Sequence, residues 1–368
     1  MAAQVSRRAF IGGVAGTAAL LSFPNLSWAR PTYGPAPGII RLSSNENPYG
    51  PSKKALEAAA EAAADGAYYP GAINRELVTA IAEKNGLSTD HVMTTSGSME
   101  VLFASADAFS PYGQIVAPTL TFGPHLRRAE RMGGEVVYVP LAADMDQDLA
   151  TMAKRIGTTT SLVYICNPNN PTGVTVEGGR LREFVKQVSK TATVMVDEAY
   201  NELTDSPDYT SMVDLVREGE NVIVTRTFSK IFGLAGMRVG YAMAPPHLIQ
   251  SLERRGMTRP NMVGAAAALA SYQDEAFIEF SRSKIKEGRE MVTDLFKRME
   301  IPYLESQTNF VYADIGRDAD EFQARMRARN VLIRGTYQPY TTWSRVSMGK
   351  LEDLEQFVKI FEEVYTTA

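Results

Sequence analysis

Four short stretches of this chain combine residue types that can do chemistry, and each follows an apolar run. Residues 227–240, TFSKIFGLAGMRVG, place a single lysine, Lys230, among hydroxyls, aromatics and glycines, with Arg238 eight residues on. An amine in so charge-poor a setting is either a solvated loop lysine or a reactive group of lowered pKa. Residues 194–200, VMVDEAY, end a strand-like run on a carboxylate, Asp197, which can serve a reaction or merely cap the next helix. Residues 94–100, TTSGSME, set hydroxyls and Gly97 at the start of an apolar helix, 101–108. Backbone N–H groups exposed there can hold a phosphate, or Ser96 or Ser98 can act as a plain N-cap. Residues 166–173, CNPNNPTG, read by themselves as a rigid turn.

Composition narrows the chemistry. The 368 residues suffice for two domains or one large one, and 45% hydrophobic with 22% charged residues is ordinary for a soluble globular chain. A formal charge of −4 gives no electrostatic reason to expect nucleic acid. One cysteine, Cys166, excludes an internal disulfide framework, and three scattered histidines make a metal site unexpected.

The N-terminal 29 residues read differently from the rest. Ser6-Arg7-Arg8-Ala9-Phe10 precedes an uncharged Ala- and Gly-rich run, 11–21, and Ser27-Trp28-Ala29 is placed like a cleavage site. These are the three regions of an export signal, with the paired arginines of the twin-arginine class. Cleavage after Ala29 and an exported or periplasmic mature chain are expected. An unused signal would leave the protein in the cytoplasm.

The reactive stretches must be positioned by elements, and the pattern of the mature chain says which. Residues 30–50, rich in Pro, Gly, Ser and Asn, form an extended arm, and 51–64 form a helix begun by Pro51 and Ser52. Short apolar strands at 114–117, 135–139, 161–165, 193–196 and 221–225 alternate with helical patterns such as 177–190. This predicts an α/β domain over 51–245 with a mostly parallel sheet, whose ligands bind beyond the carboxyl ends of the strands. From 246 to 368, charged helices at 281–299, 319–329 and 351–365 surround strands at 310–313 and 331–334, a smaller α+β domain. Arg334 ends one strand and Arg345 opens another, and the guanidinium fork suits a carboxylate or phosphate.

Taken together, NPTG, then DEAY, then SK followed by Arg238, in this order, resemble the ordered signature of aminotransferases of pyridoxal-phosphate (PLP) fold type I. The likeness spans essentially the whole mature chain. Residues 41–52 (RLSSNENPYGPS), Tyr69-Pro70-Gly71 and 346–349 (VSMG) are most similar to the histidinol-phosphate aminotransferase branch. The resemblance implies a mostly parallel sheet of the seven-stranded type plus a smaller α+β domain, with PLP as electron sink. It implies that Lys230 forms the Schiff base and moves protons, that Asp197 pairs with the ring nitrogen, and that Tyr200 and Asn170 bond the ring's phenolic oxygen. Gly97, Ser98, Thr227, Ser229 and Arg238 would hold the phosphate, with Met99 beside them, and Phe122 would stack on the ring. Relatives commonly carry tyrosine at the position of Phe122, and an acidic residue just after the small ones, where this chain has Met99 and then Glu100.

By the same resemblance Tyr69 reaches the phosphate across a homodimer interface, Arg345 anchors the substrate's anionic end, Arg334 assists it, and Tyr49 lines the pocket. The neutral aromatic stretch 335–344 (GTYQPYTTWS) is expected in the side-chain pocket, favouring an aromatic or extended apolar substrate. Amino-group transfer to a 2-oxo acid, 2-oxoglutarate with glutamate as partner pair, is the implied reaction. The same lysine, aspartate and phosphate cup would also serve decarboxylation, elimination or oxidation. A PLP-binding regulator is not expected, because such proteins carry an N-terminal DNA-binding module.

Overall fold

A computed structural model describes residues 33–256 and 259–367, so the expected export signal at 1–29 lies outside the described residues. Gly38–Ala368 form one compact unit that holds the sheet and its helices. Its strands are β1 (Ile40–Arg41), β2 (Val92–Thr95), β3 (Gln114–Pro118), β4 (Val136–Val139), β5 (Thr160–Cys166) and β6 (Thr193–Asp197). They continue as β7 (Val222–Thr227), β8 (Gly240–Met243), β9 (Phe310–Asp314), β10 (Val331–Leu332) and β11 (Trp343–Ser347).

Seven strands make the main sheet, in the order β2-β8-β7-β6-β5-β3-β4. All neighbours pair in parallel except around β8, which runs antiparallel to both β7 and β2. Because β8 reverses twice, β2, β5, β6 and β7 all point the same way, and the loops that leave them open on one edge. The central strands are apolar almost without interruption because both faces are covered. Val163, Ile165, Val194, Val196, Val222 and Val224 pack into one core cluster. Leu162, Tyr164, Cys166, Met195 and Ile223 pack into the other.

The helix expected from Pro51 spans Lys53–Ala64, because the Ser52 side chain accepts from Ala55 N and so caps it two residues later. The helix expected at 281–299 begins earlier and runs Glu275–Arg298. β8 and the Ala-rich helix Met262–Tyr272 escaped the sequence reading. The first is a four-residue run too short to carry a period, and the second is apolar on all sides, with weak amphipathic contrast.

Two pairs of short strands lie outside the main sheet. β9 pairs antiparallel with β11, and Arg345 sits opposite Tyr312 in the middle of that ladder rather than opening a strand. β10 ends at Leu332 and pairs in parallel with β1 of the arm, so the strand expected at 331–334 is shorter. Arg334 meets Arg345 only through an isolated bridge. The arm is bound in by asparagine hydrogen bonds given from the arm and to it. Asn47 Nδ2 donates to Ile231 O (2.7 Å) and Ser281 Oγ (3.0 Å), and Asn309 Nδ2 donates to Glu46 O (3.1 Å).

Candidate active site

At the shared edge of β5, β6 and β7 a cavity of about 240 Å³ opens. The turn after β7 supplies its lysine. Phe228, Ile231 and Phe232 of that turn are fully buried, which pins the backbone and leaves Lys230 as the side chain free to face the cavity. Gly233 completes the turn at φ 68, and a Cβ there would sit 2.5 Å from Gly50 Cα of the arm. Lys230 Nζ donates to Asn45 O at 3.0 Å and lies 5.6 Å from the centre of the Tyr200 ring. Burial, with Arg345 as a second positive charge nearby, pushes its amine down to about 8.

Asp197 ends β6 with 3% of its surface exposed. Its Oδ2 accepts from Tyr164 Oη at 3.1 Å and its Oδ1 from Ala199 N at 3.2 Å. Burial outweighs those two bonds and lifts the carboxyl to about 6. Glu198, the next residue, faces the opposite way, where Arg226 of β7 donates to its Oε2 through Nε (3.0 Å) and Nη2 (2.8 Å). The two acids of DEAY are thus separated by the pleat. One closes a buried ion pair, and the other is left for the cavity.

Tyr200 Oη accepts from Asn45 Nδ2 at 3.0 Å and, more weakly, from Asn170 Nδ2 at 3.4 Å. Asn170 Oδ1 in turn accepts from Arg345 Nη1 at 2.7 Å, while Arg345 Nη2 donates to Ser43 O at 2.9 Å. Arg345 is 6% exposed, its guanidinium lies over Phe310 (5.2 Å) and Tyr337 (5.6 Å), and its Nε has no partner among the described residues.

The other end of the cavity is an anion cup. Thr227 Oγ1 donates to Ser229 Oγ at 3.0 Å and accepts from Ser229 N at 3.1 Å. Arg238 Nη1 donates to Ala235 O (2.9 Å) and reaches Ser229 Oγ (3.4 Å). The helix Ser98–Phe109 begins at the same place, after Gly97 at φ 86. A Cβ on Gly97 would lie 2.2 Å from Arg238 Nη2, so only glycine lets the guanidinium close over the helix start. Hydroxyls, a guanidinium and a helix N-terminus are the donor set a phosphate needs.

Ser98, Met99, Phe122, Asn170, Asp197, Tyr200, Thr227, Ser229, Lys230 and Arg238 therefore surround one space. Five expected residues are not in the lining: Gly97 and Arg345 stand directly behind it, against Arg238 and Asn170, and the other three lie farther out. Tyr69 is fully exposed and away from the cavity lining. Tyr49 turns outward, because its Oη accepts from Leu351 N (3.0 Å) at a helix start and its ring packs on Phe280 (5.5 Å). Arg334 is exposed, and its guanidinium lies over Tyr337 at 5.4 Å.

The structure also adds residues that the sequence reading passed over. Ser44, Glu46, Cys166, Ala199 and Ala235 complete the lining. Asn45 holds Lys230 with its carbonyl and Tyr200 with its amide, and Ser347 Oγ donates to its Oδ1 at 2.6 Å. Its φ of 53 is left-handed, a conformation asparagine tolerates better than most residues. An Asn amid SSNEN was the available signal.

Residues 37–361 match the family aminotransferase class I and II. The chain is 37% identical over 330 residues to the histidinol-phosphate aminotransferase of Moorella thermoacetica, covering 89% of this chain and 85% of that one. It is 34% identical over 333 residues to that of Brevibacillus brevis, covering 90% and 91%. The crystal structure of histidinol-phosphate aminotransferase from Sinorhizobium meliloti in complex with pyridoxal-5'-phosphate superposes with a TM-score of 0.81 at 28% identity, covering 89% of this chain and 91% of that chain. Thermotoga maritima aspartate aminotransferase shares the fold at a TM-score of 0.79 and 22% identity, covering 88% and 91%.

Proposed function

The chain belongs to the class I and II aminotransferases and is a PLP-dependent transaminase, and from that premise we propose the residue roles and substrate class that follow. The observation carrying the proposal is that Lys230, Asp197 and the Thr227, Ser229 and Arg238 cup meet in one cavity. The donor set suits the cofactor. The cup would take its phosphate, Asp197 its ring nitrogen, and Tyr200 and Asn170 its phenolic oxygen. When bound there, pyridoxal phosphate supplies the electron sink that makes an amino acid's Cα–H bond breakable.

This chain's own groups do the rest. Lys230, with an amine near pKa 8, can take a proton at Nζ at mildly alkaline pH and return it, as a general base and acid must. Asn45 O orients that amine, and the arm residues Ser44 and Glu46 cover the cavity beside it. Arg345 anchors the substrate's anionic end. Its two Nη groups are already aligned by Asn170 and Ser43, and its buried Nε has no partner among the described residues. Next to it Tyr312 packs on Trp343 (4.9 Å) and Tyr337 (5.9 Å).

That aromatic cluster supports an amino donor with an aromatic or extended side chain, histidinol phosphate among them, with 2-oxoglutarate as acceptor. A panel of amino donors, read by the absorbance change of the bound cofactor and its reversal by 2-oxoglutarate, tests the reading. Turnover of small acidic donors alone would sink it. In the same assay Arg345→Leu should raise KM for the preferred donor about a hundredfold, with a smaller change in kcat, because a buried charge-assisted contact is lost. An unchanged KM would remove Arg345 from the site.

We further propose that residues 1–29 direct export and that the mature chain works as a homodimer, with Tyr69 reaching the partner's cup. The SRRAF motif and the full exposure of Tyr69 support this. Protein recovered from the periplasm should begin at Arg30 and elute as a dimer. An uncleaved cytosolic protein would remove the first part, and a monomer the second.

A further inference from the structure

Behind Asp197, below the cavity lining, lies a phenol that no role above uses. Tyr164 lies on β5 two residues before Cys166, and Cys166 is in register with Asp197 on β6. The pleat therefore sends Tyr164 to the same sheet face as Asp197. Its side chain is completely buried, and its Oη lies 3.1 Å from Asp197 Oδ2. The ring is held in turn by His125, whose centre is 4.3 Å away at 64°. His125 belongs to the helix Pro124–Arg131, three residues beyond Phe122 of the cavity wall. Both His125 nitrogens are buried without a partner among the described residues, and burial holds the imidazole down to about 3, so it is a neutral packing surface at physiological pH.

We propose that Tyr164 is a positioning residue for the cofactor: its O–H donates to Asp197 Oδ2, fixing the carboxylate's rotamer and keeping it anionic for the ring nitrogen. The inference rests on the PLP reading above and deepens it. A carboxylate that must stay ionised in a buried site needs donors to its charged form. Asp197 has two, Tyr164 Oη on Oδ2 and Ala199 N on Oδ1, with the remaining lone pairs left for a ligand. Only proline at Ala199 would delete the backbone N–H, and it would also fix the backbone there, so the phenol is the cleanly adjustable half of the pair. The ionisable groups around Asp197 are Tyr164 and Cys166 from β5, Glu198 and Tyr200 following it, and Lys230 after β7. The Cys166 thiol and the Tyr164 and Tyr200 phenols are pushed well up by burial and stay neutral. Glu198 is held in its pair with Arg226. Loss of the Tyr164 donor is therefore felt chiefly as a rise in the pKa of Asp197.

Tyr164→Phe keeps the ring against His125 and deletes only the O–H. The full chain, stripped of cofactor, is titrated with pyridoxal phosphate from pH 5 to 9, following quenching of intrinsic fluorescence, beside a thermal melt of each protein. The variant should bind about tenfold more weakly at neutral pH. The acid-side loss of binding should move to higher pH, because the carboxyl protonates earlier. On an Asp197→Asn background the same substitution should change affinity little, since the acceptor charge is already gone. Equal affinity and an unshifted acid limb in Tyr164→Phe overturn the proposal. So does a lower melting temperature with the pH profile unmoved, which marks a purely structural tyrosine, or an undiminished effect in the Asp197→Asn background. If the unsubstituted chain itself fails to bind pyridoxal phosphate, the cofactor reading fails and not this inference alone.

Discussion

Lys230→Ala should lower transamination by about four orders of magnitude and abolish the absorbance of lysine-bound cofactor. The size of the effect follows from two roles falling on one atom. Nζ is the amine placed among the cofactor groups, and it is also the group best placed to carry a proton between them. No other lysine lines the cavity. The substitution should leave the fold intact, because Lys230 enters the structure through one hydrogen bond to Asn45 O and its turn is held by Phe228, Ile231 and Phe232. The cup still offers its phosphate donors, so the variant should retain cofactor through non-covalent contacts alone. The lowered pKa adds a second signature. In the unsubstituted chain without cofactor, covalent labelling of Lys230 should rise through about pH 8, below the range of an ordinary lysine. Single-turnover kinetics and an absorbance spectrum decide the matter, and a variant with full activity would falsify the assignment.

Asp197→Asn should reduce turnover about a thousandfold and at the same time stabilise the cofactor-free chain. The first effect is the loss of a buried charge aimed at the ring, comparable to deleting a preorganised electrostatic contact worth about 4 kcal/mol. The second comes from linkage. Burial raises the folded-state pKa of Asp197 from 3.8 to about 6, so the folded chain binds more protons than the unfolded one between those values. Stability is therefore lost as pH rises through that window, and at neutral pH the ionised carboxylate costs about 3 kcal/mol. An asparagine carries no such charge, and its carbonyl can still accept from Tyr164 or Ala199. Thermal melts at pH 7 and pH 4 should show the variant above the unsubstituted chain at the first and near it at the second. Equal stability at both would mean that Asp197 is better solvated than its burial indicates. Opposite changes in stability and activity at one residue are the mark of a group kept for function.

Much of this was legible in the residues. Each strand of the parallel core reads as a short apolar run ending in a turn, and the reactive stretches follow those runs because parallel sheets present their ligands at carboxyl ends. Lys230 stood out by its charge-poor setting, whereas Asp197, Asn170 and Arg238 were picked out through the resemblance carried by NPTG, DEAY and SK in order. Asn45 and Tyr164 could not be picked out. Asn45 lies 185 residues from Lys230 in the chain, and its part depends on a left-handed backbone that folds its carbonyl toward the amine. Tyr164 reads as one more apolar strand residue in SLVYI. Its phenol matters only because β6 pairs beside β5 in a register that brings Asp197 within reach.

The residues outside the lining are equally informative. Tyr49 and Arg334 have the right chemistry close in sequence to functional residues, but neighbourhood along a chain does not say which way a side chain turns. The turn at Asn47–Gly50 sends Tyr49 to a helix start, and the end of β10 at Leu332 leaves Arg334 at the surface. Residue types and their order thus determined the family and the cofactor and singled out Lys230 as the candidate reacting group, because those depend on chemistry that few residues can supply. Only the tertiary structure decided which groups surround that lysine. Strand register, the pleat and the path of the arm set distances of about 3 Å between residues far apart in sequence, and hydrogen bonds and pKa shifts depend on those distances.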